Sequence, residues 1–289
     1  MNNYVAYGDP TNTITNNNEF VWITSLGEFI GTFIFIFLLV SVLLNLTLPK
    51  SKAYLKHPFG WIVIGVSIAL FCGLLSAYGI QYGIFDALEN KLDNETLANL
   101  TSLCLNPAFV IANIIKGSNY TNVSSYIPII NGLIYIFVEF LGAFLGALLS
   151  NYIFKFLIDR NVPYSTIRNA FYTTPQTKHK INSFICEFLG TFILFISIAG
   201  LSILLKSNQY ILKILVICGL VAGIGYGVGG STGYALNPAR DFGPRLAYLF
   251  LYRKKDSNWK KDWNYSWVPI LAPMLATIIG IIIMPGFLY

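Results

Sequence analysis

Charge is what this sequence has least of. Only 11% of its 289 residues are Asp, Glu, Lys or Arg, where soluble globular chains carry near a quarter, and this argues against a soluble enzyme. Cysteine is scarce as well. Cys72, Cys104, Cys186 and Cys218 sit in or beside apolar segments with no CxxC spacing, which speaks against a disulfide framework or a zinc site and for core thiols. No catalytic constellation, cofactor motif or metal-ligand spacing stands out, so neither an enzyme nor a cofactor is expected. Residues 1–20 hold no apolar h-region, so no cleavable signal peptide is expected; the first apolar span serves as its own insertion signal, and 1–19 reads as a disordered tail. The net charge of +6 brings no basic helix interleaved with aromatics, and a nucleic-acid partner is set aside.

What the chain has is apolar length. Hydrophobic side chains make up 55% of it, and the windows 29–49, 57–85, 117–138, 140–154, 188–205, 214–239 and 263–289 contain no Asp, Glu, Lys or Arg. A hydrocarbon core of about 30 Å takes roughly 20 apolar residues in a helix. Joining 117–138 to 140–154 across the lone Glu139 gives six spans, hence an all-α polytopic membrane protein embedded in a lipid bilayer.

The chain is also duplicated. Glu28-Phe29-Ile30-Gly31-Thr32-Phe33-Ile34 returns as Glu187-Phe188-Leu189-Gly190-Thr191-Phe192-Ile193, an offset of 159, and Asn106-Pro107-Ala108 returns as Asn237-Pro238-Ala239, an offset of 131. The difference of 28 places an insertion in the first half, at about 81–103, where Asp86, Glu89, Lys91, Asp93 and Glu95 break the apolar pattern. The repeats are expected at 20–158 and 182–289 with a linker at 159–181. Each reads as span, span, short re-entrant piece, span. Three spans per repeat is odd, so the two insert with opposite orientation and form an inverted repeat.

Asn106-Pro107 opens the first re-entrant piece with a helix N-cap followed by proline at the first helical position, and Lys116-Gly117 closes it. Ten residues span roughly 15 Å, half a bilayer core. Asn237-Pro238 opens the matching piece, 237–252, with a kink or stop expected near Gly243-Pro244. Paired half-helices of opposite entry meet N-terminus to N-terminus at the midplane.

Here the sequence resembles the aquaporin (major intrinsic protein) family over nearly its whole length from about residue 20. The stretch Gly233-Tyr234-Ala235-Leu236-Asn237-Pro238-Ala239-Arg240-Asp241-Phe242-Gly243-Pro244-Arg245, with Asp after the arginine and a basic residue closing the motif, is similar to the glycerol-conducting branch. The resemblance implies the aquaporin-like fold of six transmembrane helices and two half-helices, a homotetramer in the plasma membrane, and a passive pore for glycerol, water and other small uncharged solutes such as urea that excludes protons and ions. It implies pore donors in the two Asn-Pro-Ala motifs and a selectivity constriction of Arg240, Tyr234, Gly225 and Ile64, or Gly65 if the second span slips by one residue. It also implies pore-lining carbonyls at Ser102, Leu103, Cys104, Ser231, Thr232, Tyr234 and Ala235, and buried scaffold carboxylates at Glu28, Glu187 and Asp241. The glutamates accept from backbone N–H groups ahead of the half-helices. Glu139 stands where the family usually has Gln or another small polar group, and reads as a satisfied interior acceptor. Ser102-Leu103-Cys104 replaces the family's small-Gly/Ala-His run.

Three other readings stay open on the sequence: a water-selective pore, a secondary transporter, since inverted repeats with broken helices build those too, and a structural membrane protein with a closed pore. Orientation is contested. The family places both termini in the cytoplasm, whereas twelve basic residues, from Lys50 to Lys261, lie in the connections this would put outside, against the positive-inside tendency. Asn94, Asn99, Asn119 and Asn122 form Asn-x-Ser/Thr sequons on the side the family makes cytoplasmic.

Overall fold

The structure is a computed structural model that describes residues 10–87, 103–118, 129–159, 161–205 and 209–284. Ser102, the sequons and most of the 81–103 insertion lie outside the described residues. Helices account for most of the described chain: α1 (Pro10–Thr47), α2 (Phe59–Ala87), α3 (Pro107–Ser118), α4 (Ile129–Phe154), α5 (Tyr164–Phe171), α6 (Lys180–Leu204), α7 (Tyr210–Val228), α8 (Pro238–Tyr252), α9 (Trp259–Trp263) and α10 (Val268–Ile283). Proline marks their starts for a physical reason, because its missing N–H is one the first helical turn leaves unused anyway. It opens α1, α3 and α8 at Pro10, Pro107 and Pro238.

Among the described residues five helices, α1, α2, α4, α6 and α7, are long and apolar enough to cross a membrane, and the apolar 16-residue α10 takes the sixth place. The arrangement repeats across the duplication. Glu28 and Glu187 lie on α1 and α6; α1 packs on α4 and α2, and α6 packs on α10 and α7. The half-helices cross between repeats: α3 packs on α10 and α8 packs on α4. Neither repeat can therefore close its half of the lumen alone.

Within a membrane no hydrophobic effect drives helices together, so close approach through small residues supplies the packing. A Cβ at Gly142 would lie 2.5 Å from the Phe29 carbonyl oxygen, and one at Gly146 would lie 2.5 Å from that of Phe33. One turn further along, the Ser150 hydroxyl donates to the Phe37 carbonyl at 2.6 Å. Between α1 and α2, a Cβ at Gly73 would come within 2.7 Å of the Gly31 oxygen.

Several boundaries differ from the sequence expectation. The 1–19 tail is cut short, because α1 already begins at Pro10. The 159–181 linker contains α5, and the connection after α8 contains α9; both are too short for their periodicity to register in sequence. Gly117 does not end α3, which runs to Ser118. Nor does Pro244 end α8: the helix continues through it, and only the Arg240 carbonyl, four residues earlier, loses its helical donor.

Replacing Gly142 by Val should cost at least about 1–3 kcal/mol through forced separation of α1 and α4, because the obstructing atoms are backbone. Gly223→Ala, where nothing lies within 4 Å of the added carbon, should leave stability nearly unchanged. Thermal unfolding midpoints in detergent compare the two, and equal midpoints would contradict the α1–α4 packing.

Candidate functional site

Both half-helices are entered through backbone that no isolated helix would adopt. Leu105 and Leu236, each directly ahead of its Asn-Pro-Ala motif, have φ of 46° and 54°, and Tyr234 has 39°. A left-handed backbone costs a non-glycine residue roughly 1–2 kcal/mol, so something must hold it. Two buried carboxylates do. Glu28 accepts from the N–H groups of Cys104 at 2.7 Å and Leu105 at 2.8 Å; Glu187 accepts from those of Ala235 and Leu236, both at 3.0 Å. All four loop N–H groups would otherwise be unpaired inside a bilayer, where each unsatisfied group costs several kcal/mol.

The two asparagines follow. The Asn237 side-chain oxygen accepts from Ala239 N–H at 2.9 Å and Arg240 N–H at 3.2 Å, and the Asn106 oxygen accepts from Ala108 N–H at 3.1 Å. With its oxygen committed to the helix N-terminus, each amide can only present its NH2 outward. One of those donors crosses to the opposite repeat: Asn106 Nδ2 donates to the Leu236 carbonyl at 3.0 Å and Asn237 Nδ2 donates to the Leu105 carbonyl at 2.6 Å. The second N–H of each remains. Sequence reasoning had no means of finding the Leu105 and Leu236 carbonyls, since their role depends on two loops 131 residues apart meeting head to head.

Asn106 and Asn237 border a cavity of about 330 Å³. One side is polar, formed by the two loops and Arg240. The other is apolar and made of helical stripes: Val66, Leu70 and Leu74 on α2, Leu194 and Ile198 on α6, Ile217 and Val221 on α7. Of the residues expected to supply carbonyls, Leu103, Cys104, Tyr234 and Ala235 border it. Ser231 and Thr232 are not among its lining: the Ser231 carbonyl accepts from Gln176 N–H at 3.0 Å, and Thr232 is fully buried. Arg240 is 5% exposed, and its Nη1 has no hydrogen-bond partner among the described residues.

At the Arg240 end, Tyr234 lies flat against α7. A Cβ at Gly225 would come 3.1 Å from its ring and one at Gly229 would come 2.4 Å from it, so Gly225 makes room for Tyr234. Ile64 is not part of this end. It is 41% exposed on the outer face of α2, and Gly65 is turned toward Val42 of α1. The α2 residue facing Gly225 is Val63, fully buried, with Cγ1 3.1 Å from where a Gly225 Cβ would stand. Glu139 is fully buried, beside the Glu28 carboxyl and the Asn106 backbone N–H.

The family model described as Major intrinsic protein matches residues 92–284. The chain belongs to the major intrinsic protein family. It is 33% identical over 263 residues to the glycerol uptake facilitator protein of Streptococcus pneumoniae serotype 4, an alignment covering 90% of this chain and 97% of that protein. It is equally 33% identical over 259 residues to the probable glycerol uptake facilitator protein of Thermotoga maritima, covering 88% and 95%. Among solved structures, that of the aquaglyceroporin from Plasmodium falciparum superimposes with a TM-score of 0.69 at 25% identity, covering 91% of this chain and 95% of that one.

In this member of the family, a buried charge network anchors α8 behind Arg240. Asp241 and Arg245, one turn apart and both fully buried, pair at 2.8 Å. Asp241 also accepts from the Thr173 N–H at 2.8 Å and hydroxyl at 2.6 Å; Arg245 donates to the Thr173 carbonyl at 2.9 Å and the Asp262 carbonyl at 3.1 Å, and its guanidinium lies 4.0 Å over the Tyr172 ring. Arg168 of α5 adds pairs to Asp256 at 2.9 Å and Asp262 at 3.1 Å. The linker and the α8–α10 connection are thereby tied to the half-helix. The spacing of Asp241 and Arg245 was visible in sequence; their partner Thr173, 68 residues away, was not.

Removing one member of a buried ion pair strands the other charge, at about 3–5 kcal/mol. Arg245→Leu should therefore lower the unfolding midpoint sharply, and the double variant Asp241→Leu/Arg245→Leu should recover part of the loss. Additive losses in a double-mutant cycle would show that the pair is not coupled.

Proposed function

We propose that this chain is a passive transmembrane channel for glycerol and other small uncharged solutes, with water, that excludes protons and ions. The observation that carries this reading is the head-to-head pairing of the two half-helices through Asn106 and Asn237, each amide oriented by its own helix and bonded to the other repeat. Each helix N-terminus is equivalent to roughly half a positive charge, and two of them facing one lumen raise a barrier to any cation. A water or hydroxyl oxygen accepting from both asparagines must turn its own hydrogens away, which breaks a proton-conducting chain. The lumen suits polyols because it is two-sided. Hydroxyls meet the Asn donors, Arg240 and the loop carbonyls, while C–H edges slide along the Val66–Leu70–Leu74 stripe. The glycerol facilitators to which the chain is similar support the choice of permeant. Arg240, with Tyr234, Gly225 and Val63, is read as the selective narrowing, and the assembly as a homotetramer.

In stopped-flow light scattering on proteoliposomes, glycerol and water should permeate with no ion gradient, while a proton-sensitive dye inside reports no leak. Water flux without glycerol flux would overturn the solute reading. Arg240→Val removes bulk and a cationic barrier together. It should admit larger or charged solutes, and an unchanged solute profile would put the narrowing elsewhere.

A further inference from the structure

The lumen's two ends are chemically unlike. Arg240, at one end, stands in the first turn of α8, next to the polar loop that leads into it. At the other end the apolar stripes terminate in polar side chains: α7 runs from Val221 through Ile217 to Lys213, α6 from Leu194 through Ile198 to Ser202, and α3 from Phe109 to Asn113. Lys213 is two helical turns from Val221, roughly 12 Å along the axis. It is partly buried in the cavity wall, and among the described residues its ammonium has neither an acidic partner nor a hydrogen bond. A lysine on a lipid-facing surface extends to the interface to hydrate; this one borders the lumen instead. Two polar side chains that line the same cavity are suited to complete a site. Asn113 uses one N–H on the Cys104 sulfur at 3.3 Å and keeps the other, while Ser202 gives its proton to the Ile198 carbonyl at 3.0 Å and presents an acceptor.

We propose that Lys213, Asn113 and Ser202 form a binding subsite for a phosphate oxyanion at this mouth of the lumen, and that its ligand is a small polyol carrying a phosphate ester. A cation plus an amide donor matches the anion, and the Ser202 oxygen matches a polyol hydroxyl. The polyol portion extends into a lumen that, on the reading above, accepts polyols, while the phosphate, carrying about −1.5 to −2 charges at neutral pH, stays outside the narrowing. The bound ester is thus a plug, and it acts from one side only. The same chemistry could be met by the phosphate of a lipid headgroup reaching in from the bilayer surface.

The test is glycerol and water flux in oriented phosphatidylcholine proteoliposomes, with glycerol phosphate added to either side and inorganic phosphate as the smaller probe. Glycerol phosphate on the Lys213 side should block both fluxes saturably, while addition on the Arg240 side should not. Lys213→Met should need roughly tenfold more ester for the same block, and Lys213→Arg should keep the block within about twofold. Each variant is scored against its own flux without anion, which separates a folding defect from a lost site. Absence of glycerol flux before any anion is added would sink the channel reading alone, because block of water flux still reports the subsite. Replacing part of the phosphatidylcholine by phosphatidic acid, with no soluble anion, assigns the site to a headgroup if flux falls in wild type and not in Lys213→Met. Equal block in wild type and Lys213→Met, or no block by ester or lipid, would overturn the proposal.

Discussion

Inside a bilayer a backbone that leaves helical geometry must find its hydrogen bonds within the protein, and two carboxylates meet that demand here. Glu28 and Glu187 each take two consecutive N–H groups from a loop that could not otherwise exist at membrane depth. Once those loops are held, Leu105 and Leu236 can stay left-handed, the chain can turn back toward the face it entered from, and each half-helix can begin at the midplane. The rest of the pore is downstream of this. The asparagine caps, the crossing amide bonds and the position of Arg240 all depend on where the half-helices start.

The fold then locks the halves together. Because α3 rests on α10 and α8 on α4, each half-helix is seated by the last span of the other repeat. Thr277 of α10 donates to the Ala108 carbonyl at 2.9 Å, pinning the first turn of α3 from across the duplication. Such a structure has no stable half-product with a finished lumen. The two-sidedness of the pore follows from this interlock as well, since the loops necessarily occupy one wall and leave the spans to form the other.

Much of this was legible in the sequence because the duplication wrote it twice. Two glutamates and two Asn-Pro-Ala motifs at related spacings fix the number of spans, the inverted topology and the meeting of the half-helices. What sequence could not supply was rotation. α2 is apolar on every face, so nothing in its pattern says which residues look inward; the close seat of Gly65 against Val42 turns Val66 to the lumen, Val63 against Gly225 of α7 and Ile64 to the outside. The Asp241–Arg245–Thr173 cluster escaped for a different reason, as it joins a linker to a half-helix with no local signal in the linker. The burial of Glu139 beside Glu28 is a feature of packing that no motif announces.

The inverted repeat is symmetric in backbone but not in chemistry. At the 131-residue offset, Arg240, Asp241 and Arg245 of α8 correspond to Phe109, Val110 and Ile114 of α3. Val110 and Ile114 pack against α4, where a Cβ at Gly132 would collide with Ile114. One jaw of the pore is seated by ions and the other by volume, and this sets unequal mutational latitude. An apolar seat accepts exchanges that conserve size at small cost, so the surroundings of the first motif are free to drift. An ionic seat changes only as a set, so any replacement at Asp241 must travel with Arg245 and Thr173.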